Sequence, residues 1–334
     1  MYQINDGGMV FYDRFNEPLS NVVFPKDIQK IIFDHEFNQD ISNLLPDSIT
    51  HLIFGRNFNQ NVSYLLPNSL THLTFGHDFN QYISQLPNSI THLTFGYKFN
   101  QDVHNLPNSI THLTFGYCFN QEMHNLPNSI THLTFDWNFN QEMHNLPNSL
   151  THLTFGICFN QDVNQLPNSL THLTFGMNFN QDVSQLPNSL THLTFSICFN
   201  QDVSNLPNSL THLTFCGYFN QETRNLPNNL THLIFGRFFN QDVSNLPNSL
   251  THLTFDDYFN QDVNQLPKSL IYLIFDGWYY SIFNRSLNPY LYHLTGFDIK
   301  NNHKHKNIML ERCKTNQHNS AIRSDKLIDL LLKK

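Results

Sequence analysis

Leu106–Asn125 reads LPNSITHLTFGYCFNQEMHN, and close copies of these twenty residues fill most of the chain. A Phe-Asn pair marks the register: it stands at thirteen positions from Phe15 to Phe259, and its spacing shortens from 22 to 21 to 20 residues. A fixed period of this length is typical of repeat proteins, in which each copy is one structural unit stacked on the next. We therefore predict one elongated repeat domain.

Each copy predicts one short strand followed by a tight return. In Ile110–Phe115 the alternation of residues places Leu113 and Phe115 inward and His112 and Thr114 outward. The Leu-Pro pair favours an extended return, because proline fixes φ and has no amide donor. Stacked copies then align like residues in columns, and the 31 phenylalanines supply a continuous core.

Recurrent asparagines are expected to hold the turns. Asn108 and Asn120 recur in nearly every copy. An amide at a turn can bond backbone groups of its own coil and of the next, which satisfies polar atoms that the strand leaves open. A hydrophobic residue at Asn120 should therefore destabilise the fold more than one at Tyr117.

The repeat pattern predicts three segments: an N-terminal cap at 1–14, a repeat solenoid at 15–297, and a basic tail with a C-terminal helix at 298–334. The last copies are degenerate, since Tyr279-Tyr280 stands where Phe-Asn belongs. In the tail, Ser324 can cap a helix that ends at Lys333-Lys334. This helix either covers the last coil or docks on a partner.

Charge and composition argue against several classes of function. Residues 1–297 hold nine basic and 22 acidic residues, whereas residues 298–334 hold nine basic and four acidic ones. An acidic body does not suit nucleic-acid binding, which needs clustered cations. No stretch reaches the roughly 20 apolar residues of a membrane helix. We expect neither a nucleic acid nor a membrane as partner.

The cysteines predict a reducing environment. Cys118, Cys158 and Cys198 share one slot of the repeat at two-copy intervals. Stacked strands would separate them by roughly 10 Å, which exceeds the reach of a disulfide. We therefore expect reduced thiols and a cytoplasmic, intracellular location.

The pattern LxxLxFxxxFN followed by LP resembles the FNIP repeat, a relative of the leucine-rich repeat found in amoebae and in their large DNA viruses. The resemblance covers about residues 11–297, and it extends to the twenty-residue bacterial leucine-rich repeats with an LP segment. It implies a β solenoid: a leucine-rich-repeat-like right-handed coil of about 13 short repeats, with a parallel β-sheet on the concave face and extended convex segments. It also implies protein binding, in a host cell if the protein is viral.

The chain departs from the family pattern at two places. The Ile-Pro of the family name is replaced by Gln101-Asp102 and its equivalents, although Glu17-Pro18 keeps the proline. Some relatives carry an N-terminal F-box that recruits a ubiquitin ligase, but only 14 residues precede Phe15. We therefore expect no F-box, and a ubiquitin-ligase component as partner would require a separate adaptor.

Histidines occupy the outward strand position in eleven successive copies. Two interpretations are open: rings that stack between threonine rows, or a metal site. We favour stacking, because a straight column offers each ring two neighbours whereas a metal site needs three or four ligands. Crowding of like charges should lower the pKa of these imidazoles. The column consists of His51, His72, His92, His112, His132, His152, His172, His192, His212, His232 and His252.

An acidic column follows the Phe-Asn-Gln turn. It is either a solvated edge, which we favour, or a row that collects cations or a basic partner, including the chain's own tail. No glycine-rich calcium loop accompanies it. Its members are Asp40, Asp102, Glu122, Glu142, Asp162, Asp182, Asp202, Glu222, Asp242 and Asp262.

No enzymatic chemistry is predicted. His, Cys, Ser and Asp recur in every copy for stacking reasons, and no copy has its own set of nucleophile, base and orienting group. Glycine-rich phosphate loops, CxxC and HExxH are absent from the sequence. We expect no catalytic residue, no metal ligand and no cofactor.

The two positions before Phe-Asn vary freely, and they carry our functional prediction. At the first, six consecutive copies hold apolar or aromatic residues, which would form a strip about 24 Å long. Such a patch with a polar rim suits a protein interface, unless the column turns inward and only packs. The second position, that of Cys118, faces either inward or outward. The predicted partner-binding residues are Tyr97, Tyr117, Trp137, Ile157, Met177, Ile197, His112, His132, His152 and His172.

We therefore predict a non-enzymatic scaffold that binds a protein partner through the concave face and this strip. Two alternatives remain. The chain could be a substrate-recognition subunit that reaches a ubiquitin ligase through a separate adaptor, or a structural repeat protein without a dedicated ligand.

Overall fold

A computed structural model describes residues 2–5, 7–12, 14–256, 258–276, 297–301 and 308–312. The chain divides into two compact units, Met1–Leu170 and Thr171–Lys334, called unit 1 and unit 2 below. The predicted C-terminal helix lies outside the described residues, as do Tyr279, Tyr280 and Cys313. Within the described part of the chain, no helix is long and apolar enough to cross a membrane.

Unit 1 is a parallel β solenoid with an antiparallel strand at its start. β1 pairs with β2 antiparallel, and from β2 onward each strand pairs in parallel with the strand of the next copy. A short 3-10 helix, Leu19–Asn21, lies in the first return. The strands are β1 (Tyr2–Asn5), β2 (Gly8–Phe11), β3 (Lys30–Phe33), β4 (His51–Ile53), β5 (His72–Thr74), β6 (His92–Thr94), β7 (His112–Phe115), β8 (His132–Phe135) and β9 (His152–Thr154).

Unit 2 repeats this architecture and ends in antiparallel pairing. β10 to β15 pair in parallel, β17 then pairs antiparallel with β15, and β16 pairs antiparallel with β17. The strands are β10 (His172–Thr174), β11 (His192–Phe195), β12 (His212–Phe215), β13 (His232–Ile234), β14 (His252–Asp256), β15 (Tyr272–Asp276), β16 (Phe297–Asn301) and β17 (Ile308–Arg312).

The strand alternation predicted from the sequence is confirmed. In β7, Leu113 and Phe115 are buried, whereas His112 and Thr114 are half-exposed on the other face. The register aligns like with like, since His112 faces His132 across the β7–β8 pair. Ile110, which closes the bend before the strand, is fully buried. The predicted parallel β solenoid is therefore present in both units, with extended returns and almost no helix in the part of the chain that the structure describes.

Two phenylalanine columns form the core of each coil. In unit 1, the rings of Phe115 and Phe119 stack 3.8 Å apart between centroids within one coil. Each ring also stacks on its equivalent in the next coil, at 5.5 Å from Phe115 to Phe135 and 6.0 Å from Phe119 to Phe139. Both Phe115 and Phe119 have no exposed surface. This column packing buries apolar surface at every step of the repeat.

The Asn120 column binds neighbouring coils together, as predicted. The Asn120 side-chain oxygen accepts hydrogen bonds from the Asn140 amide at 2.9 Å and from the Gln141 side-chain nitrogen at 3.2 Å. The Asn120 backbone amide donates at 2.9 Å to the side-chain oxygen of Asn100. Each coil thereby satisfies a turn amide of the next coil, which would otherwise lack a partner.

The second bonded position of the turn is a serine and not Asn108. Asn108 is exposed. The neighbouring Ser109 hydroxyl donates at 2.6 Å to the carbonyl oxygen of Ile90 in the preceding coil. The expectation that the Asn108 amide itself joins coils is therefore not met, because Ser109 is the residue whose side chain faces the preceding coil.

Candidate functional site

The histidine column is a continuous stack of rings in each unit. In unit 1, five successive pairs from His51 to His152 have ring centroids 4.2 Å apart. In unit 2, four pairs from His172 to His252 lie at 4.1 to 4.2 Å. This geometry matches the stacking interpretation. Among the residues that the structure describes, no group of three or more His, Cys, Asp or Glu is placed to hold a metal ion.

Threonine hydroxyls fix the orientation of the rings. The Thr111 hydroxyl oxygen lies 2.9 Å from the His112 Nδ1 and 3.2 Å from the carbonyl oxygen of Thr91. A hydroxyl has one hydrogen, so both contacts are satisfied together only when Nδ1–H donates to the hydroxyl and the hydroxyl donates to the carbonyl. That tautomer leaves Nε2 of His112 as an unprotonated hydrogen-bond acceptor.

The pKa of several of these histidines is lowered, and burial is the main cause. His112 has a lowered pKa because its ring is partly desolvated, with a smaller contribution from His92. Burial and four neighbouring histidines lower the pKa of His212 to about 4. The direction agrees with the sequence prediction, but crowding of like charges is the secondary cause.

The acidic column is engaged by its own turns. The Asp202 carboxylate accepts hydrogen bonds from the Ser204 amide at 2.9 Å and from the Ser204 hydroxyl at 2.6 Å. These bonds lower the pKa of Asp202. Asp182 and Asp242 make the same pair of bonds to Ser184 and Ser244. These carboxylates therefore have a structural role that the sequence did not indicate.

The variable strip faces outward in unit 1. Tyr97 and Trp137 are 41% and 39% exposed, and Tyr117 and Ile157 are half-buried. Ring centroids are 4.4 Å apart from Tyr97 to Tyr117 and 5.2 Å from Tyr117 to Trp137. His77 continues the stack, 4.5 Å from Tyr97. The strip is thus a stacked aromatic row whose edges are accessible, and it does not turn into the core.

In unit 2 the same column contributes Met177 and Ile197, which are 36% and 37% exposed. His172 lies in the ring stack of this unit. The slot shared by Cys118, Cys158 and Cys198 is half-buried, so it faces neither fully inward nor fully outward.

A second exposed aromatic row in unit 2 was missed at the sequence level. Tyr218, Phe238 and Tyr258 occupy the slot of Cys118 in three successive copies, with ring centroids 5.0 and 5.3 Å apart. The Arg237 guanidinium carbon lies 5.6 Å from the Phe238 ring centroid and 5.4 Å from that of Tyr258. Reading this slot to the end of the repeats would have found the row.

A groove of about 380 Å³ runs beside the aromatic row of unit 1. Thr114 and Thr134 line it from the sheet, and Tyr97 and Tyr117 line it from the variable strip. Asp136 lies at the groove as well, in a slot that holds glycine in most other copies. The sequence predicted the two tyrosines as binding residues, but it predicted neither the groove nor a role for Asp136.

These features define a class of protein: each unit is a leucine-rich-repeat-like parallel solenoid with regular core columns and a variable outer strip. The FNIP Repeat family matches the chain in ten segments that run from residue 15 to residue 277. The chain therefore belongs to the FNIP repeat family. No curated protein matched it.

Solved structures of three proteins are similar to this chain. CroV588, described as a novel circular LRR protein, is 49% identical with a TM-score of 0.71 over 79% of this chain. The matched part is 45% of CroV588, so the chain spans less than half the length of that protein. YopM from Yersinia enterocolitica WA-314 is 17% identical, with a TM-score of 0.45, over 75% of this chain and 69% of its own. The functional domain of InlJ from Listeria monocytogenes, which includes a cysteine ladder, is 16% identical, with a TM-score of 0.45, over 74% and 62%.

Proposed function

We propose that this chain is a non-enzymatic scaffold that binds a protein partner through the outward face of its sheet and the adjoining strip. Repeat solenoids of the leucine-rich type support protein interaction in general, because stacked coils present a long surface with one variable position per coil. The stacked row of Tyr97, Tyr117 and Trp137 carries the proposal. Exposed contiguous aromatic residues are typical anchors of protein interfaces.

The other positions of the repeat support this assignment because their residues have structural roles. Phe115 and Phe119 fill the core, Asn120 and Ser109 join neighbouring coils, and Asp202-type carboxylates hold their own turns. The first variable slot has no such task that recurs from copy to copy. It is therefore the position at which one coil differs chemically from another.

The histidine rows are proposed as the second part of the surface. In unit 1 these are His112, His132 and His152, whose rings form the stack on the outward face of the sheet. In unit 2 the proposed surface comprises His172, Met177 and Ile197. The Nε2 acceptors inferred from the threonine contacts suit a partner that is rich in hydrogen-bond donors.

A comparative capture experiment tests the proposal. Wild-type chain and the Tyr117→Ala/Trp137→Ala variant are used to capture proteins from a cell extract, and bound proteins are quantified by mass spectrometry. The matched control is Tyr64→Ala/Tyr82→Ala, since both tyrosines are exposed, at 74% and 47%, and both lie outside the variable strip of unit 1. We expect a partner that the strip variant loses and the control retains.

The same experiment separates the alternatives. Equal partner sets for wild type and both variants would contradict the strip and favour a structural protein without a dedicated ligand. Ubiquitin-ligase subunits among the strip-dependent proteins would favour the substrate-recognition role, which rests on family resemblance alone.

A further inference from the structure

The groove beside the aromatic row is lined by the sheet and by the variable strip. Thr114 and Thr134 line it from the sheet, and Tyr97 and Tyr117 line it from the strip. The backbones of neighbouring coils approach closely there: a Cβ built on Gly116 would lie 2.2 Å from the carbonyl oxygen of Gly96. The absence of side chains at these two glycines leaves the groove open along the row.

The charge around the groove is of one sign. Residues 99–170 contain five acidic residues and neither lysine nor arginine. The nearest preceding cation in the sequence, Lys98, is bonded at 2.7 Å to Asp78. Asp136 is exposed, and within the described residues its carboxylate has no ion pair and no side-chain hydrogen bond. A cation in the groove would therefore meet a carboxylate without displacing another cation.

The strand face next to the groove adds a hydrogen-bond acceptor. His112 lies two residues before Thr114 on the same face of the strand, and its inferred tautomer presents Nε2 as an acceptor. The pKa of His112 is lowered by burial, which favours the neutral ring, and a neutral ring does not repel a cation. Carboxylate and acceptor nitrogens together favour a ligand with many donors and no acceptor, which is the description of a guanidinium.

Apolar walls complete the match with arginine. Arginine buries its methylene stem along apolar surface while its charged end stays accessible. In unit 2 the chain itself places an arginine against aromatic rings, since the Arg237 guanidinium carbon lies 5.6 Å from the ring centroid of Phe238 and 5.4 Å from that of Tyr258. Aromatic rings in the variable slots thus already accommodate the guanidinium of one arginine of this protein.

We propose that the groove lined by Tyr97, Tyr117, Thr114 and Asp136 binds an arginine side chain of the partner protein. The stem lies along the tyrosine edges, and the guanidinium donates hydrogen bonds to the Asp136 carboxylate. This inference rests on the proposed function and makes it specific: the partner presents a basic segment to unit 1.

The test uses the full chain and a fluorescein-labelled hexa-arginine peptide, with binding followed by fluorescence anisotropy. The comparison peptide is hexa-citrulline, which keeps the shape of arginine without its charge. We expect saturable binding of the arginine peptide, and Asp136→Asn should weaken it about two- to fivefold, the range of an accessible ion pair. Tyr117→Ala should weaken it as well.

Matched controls separate the groove from the general negative charge of the chain. Asp162→Asn removes the same charge from the acidic column of unit 1, and Tyr82→Ala removes an exposed tyrosine from another column. Both should bind the arginine peptide as the wild type does. Equal weakening by Asp136→Asn and Asp162→Asn, or equal binding of the citrulline peptide, would overturn the proposal.

Failure of this inference is distinguishable from failure of the proposed function. A partner captured in a strip-dependent manner, combined with no binding of the arginine peptide, refutes the arginine site and leaves the scaffold intact. Far-UV circular dichroism of each variant verifies that the fold is retained, which is expected because Asp136 is exposed and Tyr117 lies outside the core.

Discussion

A single side-chain amide, that of Asn120, serves two donors of the following coil. Its oxygen accepts from the Asn140 amide and from the Gln141 side chain. Replacing this acceptor leaves the partly buried Asn140 amide without a partner, which costs more than the hydrogen bond itself contributed. Asparagine at this position is therefore needed for stability and is unsuited to carry specificity.

Asn120→Leu is expected to lower the free energy of unfolding by about 1–3 kcal/mol, because the Asn140 amide loses its acceptor and the Gln141 side chain keeps only the Asn120 carbonyl. Tyr117→Leu is the control, and its effect should stay within about 0.5 kcal/mol, as for most surface changes. Urea denaturation followed by circular dichroism measures both. Equal midpoints for the two variants would contradict the role given to Asn120.

The role of Asn120 was predictable from the sequence, whereas that of Ser109 was not. Ser109 stands next to Asn108 in a polar turn, and both side chains are able to bond backbone groups. Which of them faces the preceding coil depends on the path of the return segment, and one sequence does not contain that path. Asp136 was missed for the same reason, since its slot borders a groove that only stacked coils create.

Pairing of the strands makes the pKa of each histidine depend on its neighbours in the stack. Each strand places one imidazole on the outward face, and pairing in register stacks it on the next. A ring between two rings is partly desolvated on both sides, which favours its neutral form. The unfolded chain has no such stack, so its histidines keep pKa values near 6.5.

Stability should therefore depend on pH in a defined direction. Because the folded-state pKa is lower than the unfolded one, the unfolded chain binds more protons between these values, and acid favours unfolding. We expect a melting temperature that is constant above about pH 7 and falls by several degrees as pH drops from 6.5 towards 4, the pKa of His212.

Two variants identify the residues responsible. His192→Asn/His212→Asn/His232→Asn removes the central rings of the stack in unit 2 and should reduce the fall in melting temperature, while the stack of unit 1 keeps its contribution. His124→Gln/His144→Gln, which replaces exposed histidines outside the stack that contact Glu122 and Glu142, is the matched control. A wild-type melting temperature that is the same at pH 7.5 and pH 5 would rule out this account.

Most of the fold followed from the period and the alternation, because repeated letters constrain every coil in the same way. The Phe columns, the outward histidines and the extended returns are all present in both units. The division of the chain after Leu170 has no counterpart in the repeat letters, since the copies on either side of it are nearly the same. The variable strip could be predicted from the sequence because its residues differ from copy to copy. The chemistry of the partner could be inferred only from the geometry of the groove.

Removal of one whole copy tests the modular nature of unit 1. Deleting residues 119–138 joins Cys118 to Phe139 and restores the sequence Cys-Phe-Asn-Gln, so every column stays in register. We expect a folded chain with a lower urea midpoint, because one coil interface is lost. Deleting residues 119–128 is the control: it removes half a copy, shifts the columns of unit 1 out of register and should lower the urea midpoint further. Equal midpoints for the two deletions would contradict a strict repeat register.

The stacking of near-identical coils also has a consequence for how the chain reaches its native state. The core residues of one coil fit the neighbouring coil and the coil after it equally well, because the copies are nearly identical. During folding, a coil can therefore dock on the wrong copy and leave the twenty residues between them as an excluded loop. Closing such a loop costs only a few kcal/mol, and each extra residue adds little. Misaligned stacks are then kinetic traps that must undock before they can be corrected. Refolding should therefore be heterogeneous, with slow phases that arise from sequence identity itself.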